Sequence, residues 1–176
     1  GGSVMGYTDR NIAENATENV AGNVVEHAAE NAAEREMEIR VYDELPEEAS
    51  RIRREVFVEE QGFMEEFDEI DGWANHLVLF SGGEPAGTGR VFFDEEDGNF
   101  MIGRLAVRKK FRGLHYGEAL VGAAEQKIRD LGGSRAALFA QVRASGFYGK
   151  LGYRKIGEEF LEEYCPHIRM ERELGV

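Results

Sequence analysis

The sequence predicts an α+β domain: a mostly antiparallel sheet with one strand–helix–strand crossover at its centre. Three observations carry that reading. Short runs that alternate apolar with polar residues, or are apolar throughout, recur between glycine-bearing turns. One long amphipathic run, residues 115–131, separates two of these strands. Tight turns such as Ser81-Gly-Gly-Glu-Pro85 join others directly.

Met37-Glu-Ile-Arg-Val-Tyr42 alternates as a strand should. Residues 46–61 open on Pro46, place Glu47 and Glu48 in a first turn, and space Ile52, Val56 and Phe57 as a helix does. Residues 62–74 are acidic and aromatic and read as a loop or short helix. His76–Phe80, Ala86–Phe93 and Phe100–Val107 follow as strands. The helix at 115–131 carries Leu120, Ala124, Ile128 and Leu131 on one side and closes at Gly132-Gly133. Arg135–Ala140 is an apolar, buried type of strand. Ala144–Leu151 is a short helix ending at Gly152, and Tyr153–Gly157 and Ile168–Leu174 are the last strands. The sheet therefore has six to seven strands, flanked by helices.

The globular pattern begins near residue 35 and runs to 176. Ahead of it, residues 1–34 contain a tetrapeptide repeat from Asn11 to Glu34, usually Asn at its first position and Glu at its fourth. A period of four drifts about 40° per repeat around a helix of 3.6 residues per turn, so no straight apolar face forms. The repeat reads as a disordered tail or a marginal helix, with self-association as the sharper alternative and a homodimer as its simplest outcome.

Charge and cysteine usage exclude several functions. The net charge is −13 over 176 residues, which opposes general binding to nucleic-acid phosphates. The single cysteine, Cys165, allows no intrachain disulfide and fits a reducing cytosol. No apolar run approaches the ~18–20 residues that span a bilayer. The chain reads as cytoplasmic, without membrane or nucleic-acid partners. His27, His76, His115 and His167 lack metal-ligand spacing with that lone cysteine, so no metal is expected.

The most informative stretch is Arg104-Leu-Ala-Val-Arg-Lys-Lys-Phe-Arg-Gly-Leu-His-Tyr-Gly117, an apolar strand end, a basic turn and a helix start. The first N–H groups of a helix have no intrahelical partner, and its dipole adds about half a positive charge there. Such a turn cradles a phosphorylated ligand, with Gly113 and Gly117 permitting close approach. A nucleotide P-loop is excluded because no Gly-Lys-Ser/Thr follows the turn. A dinucleotide fold is excluded because no Gly-x-Gly-x-x-Gly opens an early strand–helix unit.

Taken with Gly146-Phe-Tyr-Gly-Lys-Leu-Gly-Tyr153, the segment Arg112-Gly-Leu-His-Tyr-Gly117 resembles the GNAT superfamily of N-acetyltransferases over residues 36–174. Arg54–Gln61, Asp68–Asp71, Gly87–Arg90 and Pro166-His-Ile-Arg-Met170 further resemble a bacterial and archaeal subgroup akin to glyphosate-type N-acetyltransferases. The resemblance implies a three-layer fold whose central strand–helix–strand unit holds acetyl-coenzyme A. It assigns the pyrophosphate to Arg112, Gly113, Leu114, His115, Tyr116 and Gly117. It assigns the pantetheine arm and the thioester carbonyl to the backbone of Leu105, Ala106 and Val107. Two positions depart from the pattern. His115 stands where the family has glycine, so its side chain either crowds the pyrophosphate or bonds to it. Phe139 stands where asparagine is frequent.

Acetyl transfer to an amine needs a polarised carbonyl, a group to take the amine's proton, a group to protonate the leaving thiolate, and close positioning. The resemblance makes Tyr148 the general acid, with a phenol whose ordinary pKa is near 10, in place of a core tyrosine. It makes His167 the general base, with an ordinary pKa near 6.5; Glu66, Glu69 and Asp71 are its rivals. Arg90 and Arg104 either bind an anionic acceptor, with Glu69 and Asp71 beside them, or form ion pairs. An acetyl-cysteine route through Cys165 is the least favoured chemistry. The expected function is acetyl transfer from acetyl-CoA to a small amine or amino acid in a ternary complex. The alternatives are an acyl-CoA sensor without catalysis and an acetyltransferase acting on peptides or proteins.

Abundant Asp and Glu, few lysines and many glycines resemble proteins of salt-loving microbes, against the alternative of an ordinary acidic protein from a GC-rich genome. On the former reading, thermal unfolding between low and multimolar KCl shows a melting temperature that rises with salt; a falling one rejects it.

Overall fold

The alternating and fully apolar runs become neighbouring strands of one sheet. The computed structural model describes residues 36–175; the repeat, its alternative conformations and the boundary near residue 34 lie outside the described residues. The strands are β1 (Met37–Tyr42), β2 (Asn75–Ser81), β3 (Glu84–Asp94), β4 (Asn99–Val107), β5 (Arg135–Gln141), β6 (Arg154–Glu162) and β7 (Cys165–Glu173). They lie in the order β1-β2-β3-β4-β5-β7-β6. Only β4 and β5 pair in parallel, as the intervening helix α2 (Tyr116–Asp130) requires.

Helix α2 buries Leu120, Val121, Ala124 and Ile128 against the sheet. Gly87 makes that contact close: a Cβ there would meet Leu120 Cδ1 at 2.8 Å and the Ala106 carbonyl at 3.1 Å. The short α3 (Ser145–Lys150) adds Tyr148 to the same cluster. The opposite face is covered by α1 (Glu47–Arg53), whose first turn sets Glu47 and Glu48 against the positive dipole end. The helix expected over 46–61 has the right extent but two windings, because Arg54–Glu60 is a π-helix. Its Val56 and Phe57 pack with Phe63, Val78, Ala106 and Cys165. Strands β6 and β7 are longer than expected. Gly157 (φ 76°) lies within a register shift that β6 survives, and Cys165-Pro166 opens β7 where a proline is tolerated.

The decisive irregularity is in β4. Thr88 pairs with Ala106 and Arg90 with Gly103, so β4 spends one residue more than β3. Arg104 takes φ +50°, a left-handed value costly for a residue with a Cβ. Ile102 and Leu105 consequently pack on the same face, under α2, which plain alternation forbids. Just ahead of this bulge β4 leaves β5: the two pair only at Phe100–Ala136 and Met101–Ala137.

A buried ion cluster holds the bulge. Arg53 binds Glu66 (2.9 Å) and Asp71 (2.6 Å). Arg90 binds Asp68 (2.6 Å) and Asp71 (2.8 Å). Arg104 binds Glu66 (3.1 Å) and Asp68 (3.4 Å). The arginine side chains are 0–3% exposed. Burial raises the Asp71 carboxyl, but hydrogen bonds from Arg53 and the charges of Arg53 and Arg90 outweigh it and hold it far below the ordinary range. Asp68 is lowered against burial by Arg90 and then Arg104. Three guanidinium groups face three carboxylates, and the cluster ties loop 62–72 to β3 and β4.

Arg53→Met strands Glu66 and Asp71 without one partner and is expected to cost about 3–5 kcal/mol, read as a lower urea midpoint. The aspartates are depressed in the folded state. Their contribution is therefore complete above the ordinary aspartate pKa of about 4 and is lost as pH falls below it. The wild-type midpoint should drop with acid there, and the variant's should drop less.

Candidate active site

The parting of β4 from β5 leaves a gap in an otherwise continuous sheet. Counting from the Met101–Ala137 pair, Leu105–Val107 stand level with Gln141–Arg143 across it, to within the extra residue of the bulge. The β5-facing side of β4 carries no strand ladder there, so its peptide groups line the gap. Leu105 and Val107 send side chains under α2, and Ala106 sends its methyl under α1.

The basic turn follows directly. Lys109–Phe111 form one 3-10 turn, and Gly113 (φ +83°) has open space where a Cβ would stand. His115 takes φ +61° as the residue before α2, the conformation that glycine adopts without strain. Its side chain is 79% exposed and meets Glu118 at 3.3 Å, so it neither fills the cradle nor faces into the fold. Tyr116 is a core residue whose hydroxyl meets Ser81 Oγ at 2.7 Å, and Leu114 packs on the same core. What these residues and Gly117 present is backbone at the start of a 15-residue helix.

Three of the turn's cations are engaged by carboxylates, and Lys109 is exposed. Arg108 binds Glu55 (2.8 Å) and Glu84 (3.3 Å), and Lys110 binds Glu84. Arg112 donates to the Val107 carbonyl (2.9 Å) and to Glu60 (2.9 Å). Arg112 thus fastens the turn to the end of β4 rather than reaching outward. The cradle's attraction for an anion comes from backbone N–H groups and the helix dipole. That backbone, with the β4–β5 gap, fits a diphosphate bearing an extended arm. A charged groove of about 500 Å³ beside Arg108 is lined by Glu48, Glu55, Glu59 and Glu84 together with Arg51 and Arg54.

Tyr148 and His167 lie on opposite faces. Tyr148 is fully buried in the cluster with Leu105, Val107, Tyr116 and Ala140, its ring edge-on to Phe147 and Tyr153. Burial, then Glu125, pushes the Tyr153 phenol far up, so Tyr153 is a fixed donor to Glu125 (3.0 Å). On β7, Ile168 and Met170 join Tyr148's cluster, and alternation turns His167 and Arg169 the other way, beside Gln141 and Phe139. His167 is fully buried and stacked on Phe160 (5.9 Å). Its Nδ1 meets the Cys165 carbonyl at 2.9 Å. A carbonyl only accepts, so Nδ1 carries the hydrogen and Nε2 is the atom that can take a proton. Nε2 stands 3.6 Å from Glu162 Oε2, whose side chain is 14% exposed.

The other expected site residues separate. Arg90, Arg104 and Asp71 are bound to one another or to Glu66 and Asp68 inside the cluster, which leaves them no side-chain geometry for meeting an acceptor. Glu66 is likewise 3% exposed and ion-paired. Glu69 is exposed and stays outside the cluster. Burial raises the Cys165 thiol, Arg143 opposing and Glu162 adding; a raised thiol is a poor nucleophile. Phe139 packs on Phe160 (5.5 Å) under the Arg169 guanidinium (5.6 Å). Two residues that sequence reasoning did not single out, Gln61 and Gln141, hydrogen-bond at 3.1 Å beside His167. Their signal was faint: Gln141 is the polar end of an otherwise apolar strand.

Comparison with known proteins agrees with this geometry. Residues 41–174 match the family model described as an acetyltransferase (GNAT) domain. YjcF of Bacillus subtilis, described as an uncharacterised N-acetyltransferase, is 37% identical over 134 residues, covering 74% of this chain and 94% of its own. An acyl-CoA N-acyltransferase of Pseudomonas aeruginosa superposes with a TM-score of 0.68 at 27% identity, covering 78% of this chain and 99% of its own. Escherichia coli ElaA does so with 0.68 at 26% identity, covering 79% and 99%. A sheet parted at one parallel pair, a basic turn at the mouth of the gap and these matches lead to one conclusion: the chain belongs to the GNAT family of acetyltransferases, enzymes that move an acyl group from acyl-CoA to an amine.

Proposed function

We propose that the chain transfers an acetyl group from acetyl-CoA directly to the amine of a small molecule or amino acid, with His167 as general base and Tyr148 as general acid. The observation that carries this is the division of the two groups between opposite faces of the sheet, on either side of the β4–β5 gap. An amine attacking a carbonyl held in the gap sheds its proton on one face, while the departing thiolate needs one on the other. His167 Nε2 takes the first, with Glu162 as the next group toward water. The Tyr148 hydroxyl gives the second. Peptide N–H groups along Leu105–Val107 polarise the carbonyl, and the turn at Gly113–Gly117 holds the diphosphate. Direct transfer needs no acyl-cysteine, in keeping with the raised Cys165 thiol.

The rival readings keep less support. A sensor without catalysis was suggested by His115 and Phe139; the His115 side chain turns to solvent, and the departure at Phe139 stands. Attraction of a basic peptide was suggested by the acidic loop at 65–71, of which Glu66, Asp68 and Asp71 are neutralised by arginines while Glu65 and Glu69 stay exposed.

The test is thiol release across amino acids, polyamines, aminoglycosides and peptides, followed by Tyr148→Phe and His167→Ala on any accepted amine. Each variant is expected to lower kcat by about 10²-fold. Losses under about tenfold in both variants reject these roles.

A further inference from the structure

Beside His167 runs a row of amides whose direction is fixed. The Arg143 Nε–H donates to Gln141 Oε1 at 2.8 Å. Arginine only donates, so Gln141 must present its oxygen there and its nitrogen at the other end. That nitrogen donates to Gln61 Oε1 at 3.1 Å. Gln61 therefore turns its own NH₂ group away from Gln141. This Nε2 is buried and has no hydrogen-bond partner among the described residues. A buried donor without an acceptor is rare in folded proteins and calls for one.

Both ends of the row offer N–H groups: the Gln61 amide inside, and the guanidinium of the exposed Arg143 outside. Gln141 is the cross-strand partner of His167, and such partners stand with Cβ atoms about 5 Å apart. A ligand that placed its amine at His167 Nε2 would set a neighbouring group against these donors. The group that fits is a carboxylate, with two acceptor oxygens and a charge opposite to Arg143. A polyamine would bring a second cation toward Arg143 and nothing for Gln61 to bind.

Resting on the acetyl-transfer reading above, we infer that the acceptor is an amine carrying a carboxylate close to its nitrogen, an amino acid, with Gln61 Nε2 and Arg143 as the residues that select it. Next to Gln61, Tyr164, 57% exposed, donates its hydroxyl to the Gln61 backbone carbonyl and stacks on Phe63 at 5.3 Å.

Matched pairs test the inference in the 176-residue chain: phenylalanine against phenethylamine, and leucine against isoamylamine. Thiol release gives kcat/KM for each, and calorimetry with coenzyme A present gives binding without turnover. The amino acid should be preferred roughly tenfold or more. Gln61→Glu keeps the oxygen that Gln141 needs and replaces the donor by a negative charge; the preference should vanish or invert. Arg143→Gln, a surface change, should reduce it about threefold or more. Turnover of both members without preference overturns the carboxylate site and leaves acetyl transfer standing. Equal loss on both members in the variants also overturns it, as does absence of both binding and turnover of the amino acids. Amino-acid binding that Gln61→Glu abolishes, with no thiol release from any amine, upholds the carboxylate site and rejects the acetyl-transfer reading.

Discussion

The extra residue in β4 is the constraint on which the rest depends. Arg104 at φ +50° lets β4 bulge against β3, and a bulge bends and over-twists its strand. Around it β4 parts from β5, and the sheet stays open up to the start of the basic turn. The same extra residue reverses the alternation of side chains, putting Leu105 and Val107 under α2 and Ala106 under α1. A left-handed arginine is not stable by itself. It persists because its guanidinium is tied to Glu66 and Asp68, which Arg53 and Arg90 hold in turn. The cluster is costly to bury and still more costly to break; this fits a role in fixing one backbone geometry better than a role in adding stability.

Charge is distributed by the same logic. The chain carries −13 overall, yet at the cluster three arginines answer three carboxylates. At the phosphate turn, Glu55, Glu60 and Glu84 engage Arg108, Lys110 and Arg112. The cations there shape the turn, chiefly by holding Arg112 on the Val107 carbonyl. Attraction of an anion is left to aligned backbone N–H groups, whose positions are set by the fold rather than by mobile side chains. That arrangement also tolerates His115. A side chain at this position matters only if it points inward, and φ +61° carries it to solvent.

The fold was legible because its signals are local. Alternation marked β1, apolar runs marked β2 to β5, and period 3.6 marked α2, each to within one or two residues. The ends of β6 and β7 were misread because Gly157 and Pro166 are turn signals in isolation, and only pairing with a neighbour overrides them. The site was legible in part. Turn, Tyr148 and His167 sit in recognisable blocks. The bulge at Arg104 was not, since nothing about arginine announces positive φ. The partners of Arg90 and Arg104 were not either, since they lie 19–38 positions away and only tertiary contact selects them. Gln61 and Gln141 are 80 residues apart, and neither has meaning without the other.

Loop 62–72 and the residues just before it are held very unequally at their two ends. At the cluster end, Arg53, Arg90 and Arg104 bind it in ion pairs with almost no solvent access, where loss of one partner costs about 3–5 kcal/mol. At the other end Phe63 is buried in the core under α1, and the polar ties are surface contacts of the β6–β7 turn: Glu163 accepts from the Met64 N–H at 2.9 Å, and Tyr164 meets Gln61 and Phe63. Exposed hydrogen bonds of that kind contribute about 0.5–1.5 kcal/mol each. The polar ties of that end are the more exposed, and it lies beside His167, which is fully buried. On the proposed reading of His167 as the base, an incoming amine meets it only after local opening. The exposed contacts of the Glu163–Tyr164 turn are the ties such an opening would break, whereas the bulge and the gap between β4 and β5 are held by the buried cluster.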